Sequence, residues 1–123
     1  MRIFLANQDA LTFSSLRILF RAQTDLELVD AGDVSECLSD VSASHPDVVL
    51  LDFDSTPEPP EHLLSVIKSL DHPPAVVVMS VRAEKRQDAL SAGADAFACK
   101  GEAPDRLLSS IRAIGEISNK QPS

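Results

Sequence analysis

The chain has 123 residues, which is enough for one hydrophobic core and too few for two. Hydrophobic residues make up 44% of the chain and charged residues 24%, a composition typical of a folded globular domain rather than a disordered chain. The formal net charge is -8, so the overall electrostatic field repels nucleic acid and anionic membranes. We therefore expect no direct binding of nucleic acid by this chain.

No part of the sequence has the features of a membrane span or a secretion signal. The longest apolar runs, such as Val48–Leu51 and Ala75–Met79, are far shorter than the ~20 residues that cross a bilayer. The chain begins directly with strand-like sequence and has no cleavage site of a signal peptide. Its two cysteines, Cys37 and Cys99, match no zinc-ligand spacing. We expect a cytoplasmic protein without membrane contact.

Short apolar runs rich in β-branched residues recur along the chain and predict strands. The runs are Ile3–Ala6, Leu26–Ala31, Val48–Phe53, Ala75–Ser80 and Ala96–Cys99. The first, third and fourth are almost continuously apolar, which indicates strands that are covered on both faces, as in a parallel sheet.

Apolar residues recur at helical spacing between these runs. The sets are Phe13, Leu16 and Phe20; Val34, Cys37, Leu38 and Val41; Leu63, Leu64, Ile67 and Leu70; and Leu107, Leu108, Ile111 and Ile114. The last set follows Pro104, a residue that favours the first position of a helix. The interval 83–92 is more polar and offers only Ala83, Ala89 and Leu90 for burial, so we expect a weakly packed helix there.

The alternation of five strands with helices predicts an α/β fold, in which a doubly wound parallel sheet carries helices on both faces. At this length the strand order 2-1-3-4-5 fits best, and its ligand crevice lies beyond the carboxyl ends of the first and third strands. We therefore expect the functional site at that edge.

The residues that end the predicted strands are polar. They are Asn7, Gln8 and Asp9 after the first strand, Asp52 and Asp54 around the end of the third, Ser80 at the end of the fourth and Lys100 after the fifth. A buried carboxylate such as Asp52 is costly without a partner. Taken alone, Asp52 and Lys100 could form only a structural ion pair. The joint pattern of acids, hydroxyl and ammonium favours a functional site instead.

Three sequence features, in this order along the chain and at this spacing, carry a resemblance to a known family. They are the run Asp47-Val48-Val49-Leu50-Leu51-Asp52, a strand that ends in Ser80, and the run Gly93-Ala94-Asp95-Ala96-Phe97-Ala98-Cys99-Lys100. With these features the chain resembles the receiver domain of two-component response regulators, most closely the receivers of the NarL/FixJ and LuxR type. The resemblance implies a flavodoxin-like receiver fold over residues 1–117, followed by a polar tail or the start of a linker at 118–123.

The resemblance also implies roles for single residues. Asp52 would accept a phosphoryl group from the phosphohistidine of a histidine kinase or from a small phosphodonor. Lys100 would pair with Asp52 or with the phosphoryl oxygens. Ser80 and Phe97 would form the switch that changes an interaction surface. For Phe97, simple core packing is an equally good interpretation. Such a domain is not an enzyme, beyond catalysing its own phosphorylation and dephosphorylation.

The sequence departs from the family at the end of the first strand. Typical receivers carry two acidic residues there, the second of which binds Mg²⁺ together with the phosphoacceptor and a backbone carbonyl, whereas this chain has Asn7 and Gln8. The loss of one carboxylate facing a divalent ion could lower the affinity for that ion by on the order of a hundredfold or more. We therefore expect weak Mg²⁺ binding at most.

Four residues are candidate ligands for this weak metal site: Asp52, Asp54, Gln8 and Asp9. Asp54 is the better replacement for the missing carboxylate. An ion pair between Asp54 and its expected neighbour Arg82 is an equally good hypothesis.

Two functions in signalling remain open. The domain is either a phosphorylated receiver or a degenerate receiver that serves as a phosphorylation-independent interaction module, in which Asn7 and Gln8 form a permanent network. A flavodoxin-like binding protein or small enzyme has less support, because the chain has only 4 glycines and no Gly-rich phosphate loop. The resemblance implies a histidine kinase or phosphotransfer protein as partner. It is compatible with a homodimer and with a DNA-binding output domain outside this chain that regulates transcription.

Overall fold

The computed structural model of the chain describes residues 1–6, 9–32, 45–55 and 60–120. The strands within these ranges are β1 (Arg2–Ala6), β2 (Glu27–Gly32), β3 (Val48–Asp52), β4 (Ala75–Ser80) and β5 (Ala96–Cys99). The helices are α1 (Ala10–Arg21), α2 (Pro60–Lys68), α3 (Lys85–Ser91) and α4 (Pro104–Lys120). This order confirms the predicted alternation of strands and helices. The helix predicted over 34–41 lies outside the described residues.

The strands form one parallel sheet in the order β2-β1-β3-β4-β5, as predicted. The strand β3 lies in the middle, between β1 and β4, and all five of its residues are buried. Its last residue, Asp52, is level with Met79 of β4. The fold therefore presents Asp52 at the carboxyl end of the central strand, next to the end of β4.

The two faces of the sheet carry separate hydrophobic clusters, because successive side chains of a strand point to opposite faces. In β1, Ile3 and Leu5 belong to the cluster that includes side chains of α1 and α4. Phe4 and Ala6 belong to the cluster that includes side chains of α2 and α3. Burial of each large aliphatic or aromatic side chain contributes about 1.5–3 kcal/mol. The rigid sheet between the clusters holds the strand ends in place.

The helix α3 is the weakly packed one, as its polar sequence predicts. Ala89 is its buried side chain, whereas Leu90 is 37% exposed. Ala83 is exposed and precedes the helix. Of the three residues expected to be buried here, only Ala89 is, because Ala83 lies outside the helix and Leu90, next to Ala89 in sequence, points about 100° away from it around the helix axis.

The helix α4 extends to Lys120 and so includes residues 118–120, the first part of the segment expected to be a polar tail or the start of a linker. The segment Ser118–Lys120 contains no glycine or proline, so nothing in it stops a helix that tertiary packing has already started. No helix in the described ranges is both long enough and apolar enough to cross a bilayer.

Candidate functional site

The Asp52 carboxylate is fully buried and accepts hydrogen bonds from three described groups. The backbone N–H of Asp54 donates to Oδ1 at 2.9 Å. The Ser55 hydroxyl donates to Oδ2 at 3.2 Å, and the Lys100 ammonium donates to the same oxygen at 2.6 Å. A carboxylate at such a depth is stable only with partners of this kind.

Lys100 brings its ammonium to the centre of three carboxylates. Its backbone N–H donates to the Ser80 carbonyl oxygen at 2.9 Å, which fixes the start of the loop after β5. Its Nζ lies 2.6 Å from Asp52, 3.4 Å from Asp54 and 3.5 Å from Asp9. Burial by itself would lower the pKa of Lys100, but the hydrogen bond and charge of Asp52, together with Asp54, raise it above the ordinary value. The group therefore carries its positive charge at neutral pH.

The Asp54 carboxylate is held against the end of β4. The buried Ser80 hydroxyl donates to Oδ1 at 2.7 Å, and the Val81 backbone N–H donates to Oδ2 at 2.8 Å. Burial alone would raise the pKa of Asp54, but the Val81 and Ser80 hydrogen bonds and the charge of Lys100 outweigh it and hold the pKa below its ordinary value. Asp54 is therefore ionised and engaged on both oxygens.

The hypothesis of an ion pair between Asp54 and Arg82 is wrong. Asp54 pairs with Lys100 instead. Arg82 takes part through its backbone, whose N–H donates to the Ser80 hydroxyl oxygen at 3.0 Å. The Ser80 and Val81 donors and the Lys100 ammonium already fill the space around this carboxylate, so the long Arg82 side chain stays exposed.

Asp9 has a local structural task that the sequence analysis missed. It is the N-cap of α1: its Oδ1 accepts the Thr12 backbone N–H at 2.8 Å, and its Oδ2 accepts the Thr12 hydroxyl at 2.8 Å. These two hydrogen bonds are the main reason that the pKa of Asp9 is lowered, and Lys100 adds to the effect. An aspartate immediately before an apolar helical pattern is the signal that could have identified the cap.

The described residues do not fit a dedicated magnesium site. The carboxylates of Asp9, Asp52 and Asp54 surround the Lys100 ammonium, which would repel a divalent cation at the same place. No group of three or more acidic, histidine or cysteine side chains within the described ranges is arranged to hold a metal ion. The predicted ligand Gln8 and its neighbour Asn7 lie outside the described residues.

The structure brings together most of the predicted site residues. Asp52, Ser80, Lys100, Asp54 and Asp9 form one connected network. Phe97 lies apart from it on β5, partly buried against the cluster that includes Ala89. Ser55 and the backbone of Val81 join the site without having been predicted. Backbone donors carry no residue-type signal, so only the fold could reveal Val81.

The chain is similar to a known family in sequence and to several solved structures in fold. The family model described as response regulator receiver domain matches residues 3–112. No curated relative matches the chain in sequence. Among solved structures, a receiver domain protein from Methanospirillum hungatei JF-1 superposes with a TM-score of 0.84 at 22% identity, over 98% of each chain.

Two further structures come from response regulators of the LuxR family. One, from Aurantimonas sp. SI85-9A1, has a TM-score of 0.83 at 22% identity and covers 94% of this chain and 84% of its own. The other, a DNA-binding response regulator from Staphylococcus aureus, has a TM-score of 0.79 at 17% identity and covers 93% of this chain and 98% of its own. At these identities the likeness shows the fold. The match of the family model to most of the chain shows more: this protein belongs to the response regulator receiver domain family.

Proposed function

We propose that the domain accepts a phosphoryl group on Asp52 from the phosphohistidine of a histidine kinase or phosphotransfer protein. One observation carries the proposal: the fully buried Asp52 carboxylate ends the central strand, with the Lys100 ammonium 2.6 Å away. Receiver domains are signalling modules, and this arrangement supports phosphoryl acceptance rather than turnover of a metabolite. The same residues disfavour the phosphorylation-independent alternative, because the acceptor aspartate, the lysine and the hydroxyl are all kept.

The chemistry is a transfer between two nucleophiles. An Asp52 carboxylate oxygen attacks the phosphorus, so that a P–O bond forms while the P–N bond to the imidazole breaks. The electron pair of the P–N bond stays on the imidazole nitrogen, which then takes a proton from solvent. The Lys100 ammonium balances the negative charge of the attacking carboxylate and of the phosphoryl oxygens. The product is an acyl phosphate on Asp52.

The same site supports a proposed switch. A phosphoryl group adds negative charge and acceptor oxygens beside Ser80, whose hydroxyl is buried at the end of β4. Phe97 and the weakly packed helix α3 lie against one hydrophobic cluster, so a shift there changes the nearby surface. In this proposal phosphorylation shifts a pre-existing equilibrium between two arrangements of Ser80 and Phe97.

Weak magnesium binding is part of the proposal. The Lys100 ammonium already compensates the carboxylates that a divalent ion would need. We expect amide shifts in a Mg²⁺ titration of the unmodified domain to saturate only in the millimolar range.

The partners follow from the family and from its structural relatives. We propose that the domain acts with a histidine kinase or phosphotransfer protein, as a monomer or a homodimer. A transcriptional role through a DNA-binding output domain outside this chain is proposed by analogy, since two structurally similar proteins are described as LuxR-family response regulators.

The test is the response of amide NMR signals to beryllium fluoride in excess Mg²⁺. Beryllium fluoride binds a carboxylate as a phosphoryl mimic, so shifts are expected at Asp52, Ser80, Phe97 and Lys100. The matched control is Asp52→Asn, which keeps the shape of the side chain and removes the acceptor charge. Shifts that are absent from the wild type, or that persist in Asp52→Asn, would contradict the proposal.

A further inference from the structure

Asp54 occupies a set of donors suited to a phosphoryl group. Its two oxygens accept hydrogen bonds from the Ser80 hydroxyl at 2.7 Å and the Val81 backbone N–H at 2.8 Å. The Lys100 ammonium lies 3.4 Å from the same carboxylate. A hydroxyl, a backbone amide and an ammonium are the groups that recognise phosphoryl oxygens in proteins.

The orientation of the Ser80 hydroxyl leaves its proton for Asp54. The hydroxyl oxygen accepts the Arg82 backbone N–H at 3.0 Å and donates to Asp54 Oδ1. The Ser80 side chain is fully buried, so water does not offer it an alternative acceptor. While Asp54 stays in place, this proton is not available to an anion on Asp52.

The position of Asp54 in the chain tethers it to the acceptor. It follows Asp52 by two residues, and its backbone N–H donates to Asp52 Oδ1 at 2.9 Å. A phosphoryl group on Asp52 would be covalently bound beside the Lys100 ammonium, which already contacts both carboxylates. Its oxygens would therefore compete with the Asp54 carboxylate for the Ser80, Val81 and Lys100 donors. A tethered competitor of this kind acts at a high effective concentration.

We propose that Asp54 is an internal anion that occupies the phosphoryl-binding donors Ser80, Val81 and Lys100, and that phosphorylation of Asp52 must displace it. This inference rests on the proposed phosphoacceptor role of Asp52. It assigns to Asp54 the regulation of that site: the side chain lowers the affinity for a phosphoryl group and holds the Ser80 hydroxyl at the site until the group arrives.

The expected effect of Asp54 on the affinity for a phosphoryl mimic follows from the fraction of molecules whose donors are free. The apparent dissociation constant rises by the inverse of the fraction of molecules whose donors are free. If Asp54 holds them about nine-tenths of the time, its removal tightens the binding of a phosphoryl mimic roughly tenfold.

The experiment compares the affinity for beryllium fluoride, in excess Mg²⁺, between the wild type and Asp54→Asn. The asparagine has nearly the same shape but lacks the charge and one of the two acceptor oxygens. We expect the Asp54→Asn protein to bind about tenfold more tightly, and the Val81 amide signal to shift on binding in the wild type because its N–H changes partner. Asp54→Ala is a second variant with the same expected direction, and thermal unfolding confirms that both proteins fold.

Asp9→Asn is the matched charge control. Asp9 lies 3.5 Å from Lys100, almost as close as Asp54, but its oxygens cap α1 rather than hold the Ser80 and Val81 donors. Asparagine also caps helices well, so this variant removes one charge with little structural change. Equal tightening by Asp9→Asn and Asp54→Asn would overturn the inference, since general repulsion would then explain the effect.

The outcomes separate the inference from the proposed function. If the wild type and Asp54→Asn bind equally well and Asp52→Asn does not bind, the phosphoacceptor role stands and the inference fails. If neither of the two proteins responds in a way that depends on Asp52, the proposed function itself fails.

Discussion

The two edges of the sheet each carry an ion pair between residues distant in sequence, but the two pairs differ in burial. At the carboxyl edge, Lys100 and Asp52 have side chains that are 13% and 0% exposed. At the amino edge, Arg112 of α4 binds Asp25 through two hydrogen bonds of 2.9 and 3.1 Å, with side chains that are 38% and 54% exposed.

Judged by hydrogen-bond geometry alone, the amino-edge pair would be expected to stabilise the protein at least as much as the carboxyl-edge pair. Arg112 makes a two-point contact with Asp25 and also donates to the Gln23 side-chain oxygen at 2.8 Å. Water and salt screen such a pair, so it is expected to contribute little to stability. The carboxyl-edge pair has little water to replace either partner, so losing one partner is costly. The depth of burial, rather than the hydrogen-bond geometry, therefore determines which of the two ion pairs is costly to break.

The largest expected effect is that of Lys100→Met. This change leaves the Asp52 carboxylate buried without its cation, which should lower the free energy of unfolding by about 3 kcal/mol. Urea unfolding followed by circular dichroism measures the loss. The double variant Asp52→Asn/Lys100→Met should recover part of it, because no buried charge remains. A loss below about 1 kcal/mol for the single variant would place this pair with the exposed ones.

A smaller effect is expected from acid, with a sign that follows from the pKa directions. The pKa values of Asp54, Asp9 and Asp25 lie below the ordinary value of 3.8, chiefly through their hydrogen bonds. A carboxyl group with a lowered pKa in the folded state stabilises the protein above its unfolded pKa, and this contribution is lost as pH falls through the folded pKa. Urea midpoints should therefore decrease as pH falls below about 5.

The dependence of acid stability on salt should differ between the two edges. The Asp25 contribution should shrink at high ionic strength because that carboxylate is exposed, whereas the Asp54 contribution should persist because its side chain is only 22% exposed. We expect Asp54→Asn to weaken the decrease of the urea midpoint in acid at both low and high salt. Asp25→Asn should weaken it only at low salt. The same behaviour in both variants would contradict the distinction.

The smallest expected effect is that of Arg112→Ala. It should lower the free energy of unfolding only slightly, and less still in high salt, because water and salt screen this exposed pair. Urea unfolding at two ionic strengths measures it, with Arg112→Lys as the control that keeps the charge and loses the two-point contact. A salt-independent loss as large as the one expected for Lys100→Met would contradict this expectation.

The sheet could be predicted from sequence because its strands are short apolar runs. Val48–Leu51 and Ala75–Met79 are covered on both faces, so their composition alone indicates parallel central strands. The ends of the elements were less predictable. The run that begins at Val48 includes Phe53, but β3 ends at Asp52, and α4 continues to Lys120 through residues with no helical pattern.

The sequence could predict only those site residues whose side chains themselves take part in the chemistry. Asp52, Ser80 and Lys100 end their strands, so the parallel sheet brings them to one edge. Of the two hypotheses for Asp54, the ion pair with Arg82 is wrong, because sequence spacing cannot show the backbone N–H of Val81 that binds the carboxylate instead. Hydrogen bonds from the backbone depend on loop geometry, which the types of the side chains do not reveal.

Chemical trapping of the aspartyl phosphate shows whether Asp52 accepts a phosphoryl group. The protein is incubated with phosphoramidate and excess Mg²⁺, then reduced with borohydride, which converts an aspartyl phosphate to homoserine, and its peptides are identified by mass spectrometry. We expect homoserine at position 52 in the wild type and none in Asp52→Asn. Unreacted aspartate at position 52, or trapping at Asp9 or Asp54 instead, would contradict it.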